Sequence, residues 1–154
     1  MEETLEPLSR EGGENPAKVV SELREMMQNK AGIIRTGGLL EEALVELEEF
    51  RTRAASTSPG GGRMYNPGWH QALEIEAMVD VSKMCAISAL RREESRGAHT
   101  RDDFPDTDHE HWGKVNSVIV MGDDGSMNID FVSYPEIPEE LKSLLDSDDL
   151  HEEE

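Results

Sequence analysis

The sequence predicts a mainly α fold in which three helices come first, a single β-hairpin follows and an acidic tail closes the chain. Two patterns carry this reading. Apolar residues recur at spacings of three and four in three successive stretches between residues 16 and 95, as expected of helices that each bury one face. Later the period changes to two on either side of Gly122-Asp123-Asp124-Gly125, which reads as a hairpin turn. Composition agrees. The chain is 36% hydrophobic and 5% aromatic, so a core must come mainly from Leu, Ile, Val, Met and Ala. Its 154 residues leave room for one domain with a small core.

Residues 1–15 hold Pro7, Gly12 and Gly13 among alternating charges with no sustained period, and read as a linker or an arm lying on something else. Asn15-Pro16 is a helix start, because Asn caps free amides and Pro at the first helical position loses no needed donor. Val19, Val20, Leu23, Met26 and Met27 then form one stripe, ending near Asn29 or somewhat beyond. Thr36-Gly37-Gly38 is a break and a new cap. Leu39, Leu40, Ala43, Leu44, Leu47 and Phe50 make the second stripe, with Glu41, Glu42, Glu46, Glu48 and Glu49 outward. Gly60-Gly61-Gly62 has no strand before it and no Lys-Ser/Thr after it, and reads as a plain connector rather than a phosphate loop.

Asn66-Pro67-Gly68-Trp69 opens the longest helix, expected over residues 67–95. Glu76, Asp80 and Lys83 form one narrow polar strip on it, and apolar residues occupy most of the remaining circumference. A helix of that kind is buried on more than one side. Two shorter helices cover only part of it, which implies oligomerisation or contact with a larger body. The hairpin strands are Val115–Met121 and residues 127–132, and a lone hairpin must rest on something. Residues 138–145 read as a short helix, and the acidic end from Asp146 as disordered. The resulting division is an arm over residues 1–15, helices over 16–100, a charged turn and hairpin over 101–134, and a tail over 135–154.

The string between the longest helix and the hairpin is the densest in chemistry. Gly97 is expected to end the helix at the C′ position, with Arg91, Arg92 and Arg96 complementing its dipole. Arg96, His99 and Arg101 then face Asp102, Asp103, Asp106 and Asp108, dense enough for charge-assisted hydrogen bonds at a fixed turn. His109-Glu110-His111 raises a metal reading and the His/Asp mixture a hydrolytic one. Alternate residues in a loop fix no ligand geometry, and no strand-borne nucleophile accompanies them. On residue chemistry alone the stretch is an interaction surface.

The string ESRGAHTRDDFPDTDHEHW also resembles the signature that closes the long helix in the C-terminal domain of the succinate dehydrogenase/fumarate reductase flavoprotein subunit. In that family the pattern runs roughly ESRGAHxRxDxPxxDxxxW. Glu94, Ser95, Arg96, Gly97, Ala98, His99, Arg101, Asp103, Pro105, Asp108 and Trp112 fit it. Met26-Met27-Gln28-Asn29 followed by Ile33-Ile34-Arg35, Leu39-Leu40-Glu41-Glu42 and Asn66-Pro67-Gly68-Trp69-His70 resemble further family segments, so the likeness covers nearly all but the tail.

The resemblance implies a three-helix, spectrin-repeat-like bundle packed on the flavin-binding domain of a larger subunit that interconverts succinate and fumarate. FAD in the parent subunit would pass electrons to an iron–sulfur subunit, with membrane anchor subunits reached indirectly. That places the chain in the cytoplasm, peripheral at the inner face of the cell membrane. The family's flavin fingerprint and attachment histidine have no counterpart here, so no catalytic, cofactor-binding or metal residue carries over, and this chain by itself holds no cofactor. Glu94, Ser95, Arg96, Gly97, His99, Arg101, Asp103 and Trp112 are instead expected to form a structural or interface motif. Two alternatives are the related C-terminal bundle of L-aspartate oxidase, which Ala98, Arg101, Asp108 and Trp112 fit less well, and a free-standing helical interaction module.

Charge narrows the partners. With 34 acidic and 15 basic residues the formal net charge is -19, which repels nucleic acid and anionic membrane surfaces. The single cysteine, Cys85, sits in an apolar run and is expected to be a buried small hydrophobe in a reduced, intracellular chain. No stretch has the length of a membrane span or the pattern of a signal peptide, so the chain is expected to be soluble unless a partner holds it at a membrane. The acidic excess is a solvated surface in its plainest reading, and an adaptation to a salty cytoplasm in a sharper one. The sharper reading predicts a melting temperature that rises with added salt; calorimetry showing no rise would refute it.

Overall fold

The computed structural model describes residues 2–142. Helices dominate: α1 (Glu2–Ser9), α2 (Pro16–Lys30), α3 (Gly37–Ala55) and α4 (Pro67–Arg91). Two strand pairings accompany them: a short parallel one of β1 (Ile34–Arg35), between α2 and α3, with β2 (Thr100–Arg101), after α4, and an antiparallel one of β3 (Val115–Met121) with β4 (Met127–Ser133).

Each long helix starts where its capping residue stands. The Asn15 side chain accepts from Ala17 N at 2.9 Å, Thr36 from Leu39 N at 3.3 Å and Asn66 from Trp69 N at 3.0 Å. Pro16 and Pro67 occupy first-turn positions where no amide is missed. The apolar stripes of α2, α3 and α4 close on one another around a core of Val19, Val20, Leu23, Ala43, Leu47, Phe50, Ile75 and Val79. Charged pairs ring that core. Arg53 reaches Glu14 at 2.7 Å and also binds Glu22, Lys30 joins Glu42 and Glu46 at 2.7 Å each, and Arg51–Asp80 and Lys83–Glu48 tie α3 to the polar strip of α4.

The arm expected over residues 1–15 contains a helix, α1. It lies on α4, where Trp69 Nε1 donates to the carbonyl of Thr4 at 2.7 Å. Its periodicity is hard to read because it is only eight residues long and includes Pro7, which is buried.

Cys85 is exposed, not buried as its apolar neighbours led one to expect. It falls on the side of α4 turned away from α3, with Ala77 and Val81 preceding it at intervals of four.

The first strand matches its expected limits and the second runs one residue further, to Ser133, with Met121 opposite Met127 and Ile119 opposite Ile129. Ile119, Ile129 and Phe131 turn inward and are half-buried, whereas Val118, Val120 and Val132 are exposed. A helical turn begins at residues 139–142. The remainder of the helix expected to residue 145, and the acidic tail, lie outside the described residues. Among the described residues no helix is long and apolar enough to cross a membrane.

Two substitutions separate core from surface on α4. Ile75→Ala, at a fully buried position, should cost about 3 kcal/mol in urea unfolding. Cys85→Ser should change stability by less than about 0.5 kcal/mol; a cost like that of Ile75→Ala would mean that Cys85 is core.

Candidate functional site: the charged turn after the long helix

The long helix stops four residues earlier than expected, at Arg91, and it is not stopped by Gly97. A side chain from further along the chain ends it. Arg101 Nη1 donates to the carbonyls of Ala89 at 2.8 Å, Leu90 at 3.0 Å and Arg92 at 3.3 Å, satisfying the acceptors a helix leaves unpaired at its C-terminus. Arg101 is 2% exposed, although it is a charged side chain. Gly97 serves a different turn. It has φ 58° between Arg96 and His99, whose backbones pair at 2.8 and 3.0 Å, a conformation that suits glycine.

The other nitrogens of Arg101 are also engaged. Nε meets Asp103 Oδ1 at 2.7 Å and Nη2 meets Oδ2 at 2.8 Å, a two-pronged pair. Asp103 Oδ2 also accepts the amide of Gly37 at 2.8 Å, placing a carboxylate at the N-terminus of α3. The Arg101 hydrogen bonds and the Gly37 amide hold the Asp103 carboxyl well below the usual range against the opposing effect of burial. A Cβ on Gly37 would stand 3.1 Å from that same oxygen, which explains a glycine in the first turn of the helix. The end of α4 and the start of α3 are thus joined through one ion pair.

A second knot lies beside it. Glu94 is fully buried. Burial pushes its pKa up, but Arg96, the amide of Asp108 and Arg92 outweigh that and hold it at about 2. Its oxygens take Arg92 Nη2 at 2.7 Å, Arg96 Nε and Nη2 at 3.0 Å each and Asp108 N at 2.9 Å. Arg92 continues to the carbonyl of Trp112 at 2.8 Å and lies 5.6 Å over its ring, and Trp112 meets Phe131 edge-on at 5.0 Å. The hairpin therefore rests on the helices by way of Glu94 and Trp112. Ser95 accepts from Arg101 N at 2.9 Å and bonds Phe104 O at 2.9 Å, closing the loop between the two knots.

All eight expected motif residues thus meet in one place, with altered pairings. The carboxylate of Arg96 is Glu94, not one of the aspartates. Asp108 uses its side chain to accept the amides of Glu110 and His111, while Asp102 and Asp106 are exposed. His109, Glu110 and His111 are exposed as well. Among the described residues no three His, Cys, Asp or Glu stand together as a metal would need.

Arg35 and Gly37 belong to the site without having been assigned to it. Arg35 holds Gly32 O at 2.5 Å and His99 Nδ1 at 2.7 Å. The one local signal was an arginine with no acidic residue within four positions on either side.

With this geometry in view, the family profile described as fumarate reductase flavoprotein C-term matches residues 20–144. The chain belongs to this family. It is 33% identical to the fumarate reductase flavoprotein subunit of Mycobacterium tuberculosis over 79% of its own length and 21% of that protein's. It is also 33% identical to the succinate dehydrogenase flavoprotein subunit of Coxiella burnetii over 66% of its length and 17% of that subunit's. The Mycobacterium smegmatis Sdh1 complex bound to UQ1 superposes with a TM-score of 0.79 at 34% identity, covering 97% of this chain and 26% of that one. The chain spans about a fifth of the length of the curated relatives it matches.

The linkage of Glu94 and Asp103 has a definite sign. Both carboxyls sit below their ordinary values in the folded state. Their stabilisation is complete above those ordinary values and is lost as pH falls toward the folded ones. Unfolding free energy should drop between about pH 5 and about pH 2, and Glu94→Gln should flatten that slope. An unchanged slope in chemical denaturation would contradict the Glu94 assignment.

Proposed function

We propose that this chain is the C-terminal structural domain of a flavoprotein that interconverts succinate and fumarate, passing electrons from FAD to an iron–sulfur subunit. In this reading α2, α3 and α4 form a spectrin-repeat-like bundle that braces the flavin domain. The chain is inactive alone, and partner subunits hold the complex at the inner face of the cell membrane.

The observation that carries the bracing role is the uncovered side of α4. Val81 is 57% exposed and Cys85 is exposed, and with Leu23, Met27, Ala77 and Met78 they line an open apolar groove of about 520 Å³ between α2 and α4. Apolar surface of that kind marks a contact face. A larger subunit of which this chain is one fifth supplies a partner for it. The preference for the succinate and fumarate side over L-aspartate oxidase rests on the motif string, in which Ala98, Arg101, Asp108 and Trp112 fit the former better.

The chain's residues do not fit a flavin. Its one glycine run, Gly60-Gly61-Gly62, turns two carbonyls onto the Asn66 amide at 2.7 and 2.9 Å, whereas a phosphate needs amides. FAD is therefore assigned to the part of the parent subunit outside this chain, and no chemical step is assigned to this one.

Val81→Asp tests the reading. In the chain by itself it should leave stability within about 0.5 kcal/mol of wild type, since the position faces water. In the full subunit it should lower flavin content and succinate-dependent dye reduction by at least about tenfold, the loss expected when a charge is buried unpaired at a contact. Full flavin content and activity there would show that α4 does not dock through this face.

A further inference from the structure

His99 stands where three separate parts of the chain meet, and its neighbours dictate its protonation state. Nδ1 lies 2.7 Å from Arg35 Nη1, and Nε2 lies 3.1 Å from the carbonyl oxygen of Arg92. A guanidinium only donates and a carbonyl only accepts. Nδ1 must therefore offer its lone pair and Nε2 must carry the proton, so the ring is neutral and in one tautomer. A second proton has only Nδ1 to go to, where it would face the N–H of a cation.

The surrounding charges make the same demand. Arg35 faces the ring from the connector between α2 and α3, Arg92 from the end of α4 and Arg101 from β2. The nearby carboxylates are committed elsewhere: Glu94 to Arg92 and Arg96, and Asp103 to Arg101 and the Gly37 amide. Burial first, and then these three arginines, lower the ring's pKa from its ordinary 6.5 despite the opposing Arg92 carbonyl.

What His99 holds is lightly held otherwise. Among the described residues Arg35 has no carboxylate partner; its side-chain contacts are Gly32 O and His99. Ile33 and Ile34 beside it are 65% and 64% exposed, so no apolar burial fastens the connector. Its remaining attachment is the two-residue pairing of β1 with β2.

We propose that His99 is an acid-released latch: neutral, it fastens the α2–α3 connector to the end of α4 through Arg35, and protonated, it lets that connector go. Arg101 and Asp103 keep the helix ends joined, because Asp103 stays ionised far below the pH at which an imidazole takes a proton. The latch is fully closed above the ordinary imidazole value and opens as pH falls through the ring's own, lower one. Ile33, Ile34 and Arg35 are then presented differently at neutral and mildly acid pH, whether or not the chain braces a flavin domain.

A nitrogen-15 NMR titration of the whole chain from about pH 7.5 to about pH 5 tests this. His99 should titrate with a midpoint below 6.5. The amides of Ile33, Ile34, Arg35 and Thr36 should move with the same midpoint while those of Val20, Leu47 and Ile75 stay in place. His99→Gln, whose amide can accept from Arg35 and donate to Arg92, should abolish the movement. Arg35→Gln removes one facing cation and should raise the His99 midpoint, which keeps the test sharp if the first variant fails to fold. The latch is overturned by a wild-type midpoint at or above 6.5, by connector amides that ignore the transition, by an unmoved midpoint in Arg35→Gln, or by loss of the whole fold at the same pH.

Discussion

The structure depends on what Arg101 does with one side chain. Its guanidinium closes the C-terminus of α4 and grips Asp103, which in turn accepts the first amide of α3. Two helix ends of opposite polarity are neutralised by opposite charges that also bind each other. Arg101 is buried while Asp103 is partly open to water, and such a pair is not by itself evidence of stability, since desolvation can cancel the attraction. Here three carbonyls and one amide complete the pair, so few donors are left unmet. Among the described residues no buried side-chain nitrogen or oxygen lacks a partner.

Glu94 extends the same logic to the hairpin. Two strands alone bury too little to persist in water. This pair has its base on Trp112, which Arg92 holds against the Glu94 knot. The charged turn therefore acts as a joint: one knot fixes the helices to each other and the second fixes the hairpin to them. His99 adds a third attachment of a weaker kind, one that requires an uncharged ring. The chemistry of the segment is positional, which accords with a family in which this domain accompanies a larger flavoprotein body.

The division between paired and unpaired surface follows from α4. Its strip of Asp80 and Lys83 meets Arg51 and Glu48 of α3, so the polar side is covered by charges. Apolar Val81 and Cys85 are left outward. On α4, then, Ile75 and Val79 enter the core while Val81 and Cys85 stay open to solvent, and these are the residues that the proposed docking would cover.

The caps at Asn15, Thr36 and Asn66, the three stripes and the hairpin limits were determined by sequence alone, because each depends on residues within one or two turns of one another. The family was legible too, since its motif is a contiguous string. Three things were decided only in three dimensions. The long helix ends at Arg91 because a side chain ten residues later reaches back to its carbonyls, which no local rule encodes. Glu94 is buried and shared by two arginines because the turn folds over it, whereas the sequence placed it in the last turn of a helix expected to run to residue 95. Arg35 joins His99 across 64 positions, and Cys85 faces out although its neighbours in sequence are apolar. Tertiary packing chooses which side of an apolar helix is covered, and that choice depends on where the other helices lie.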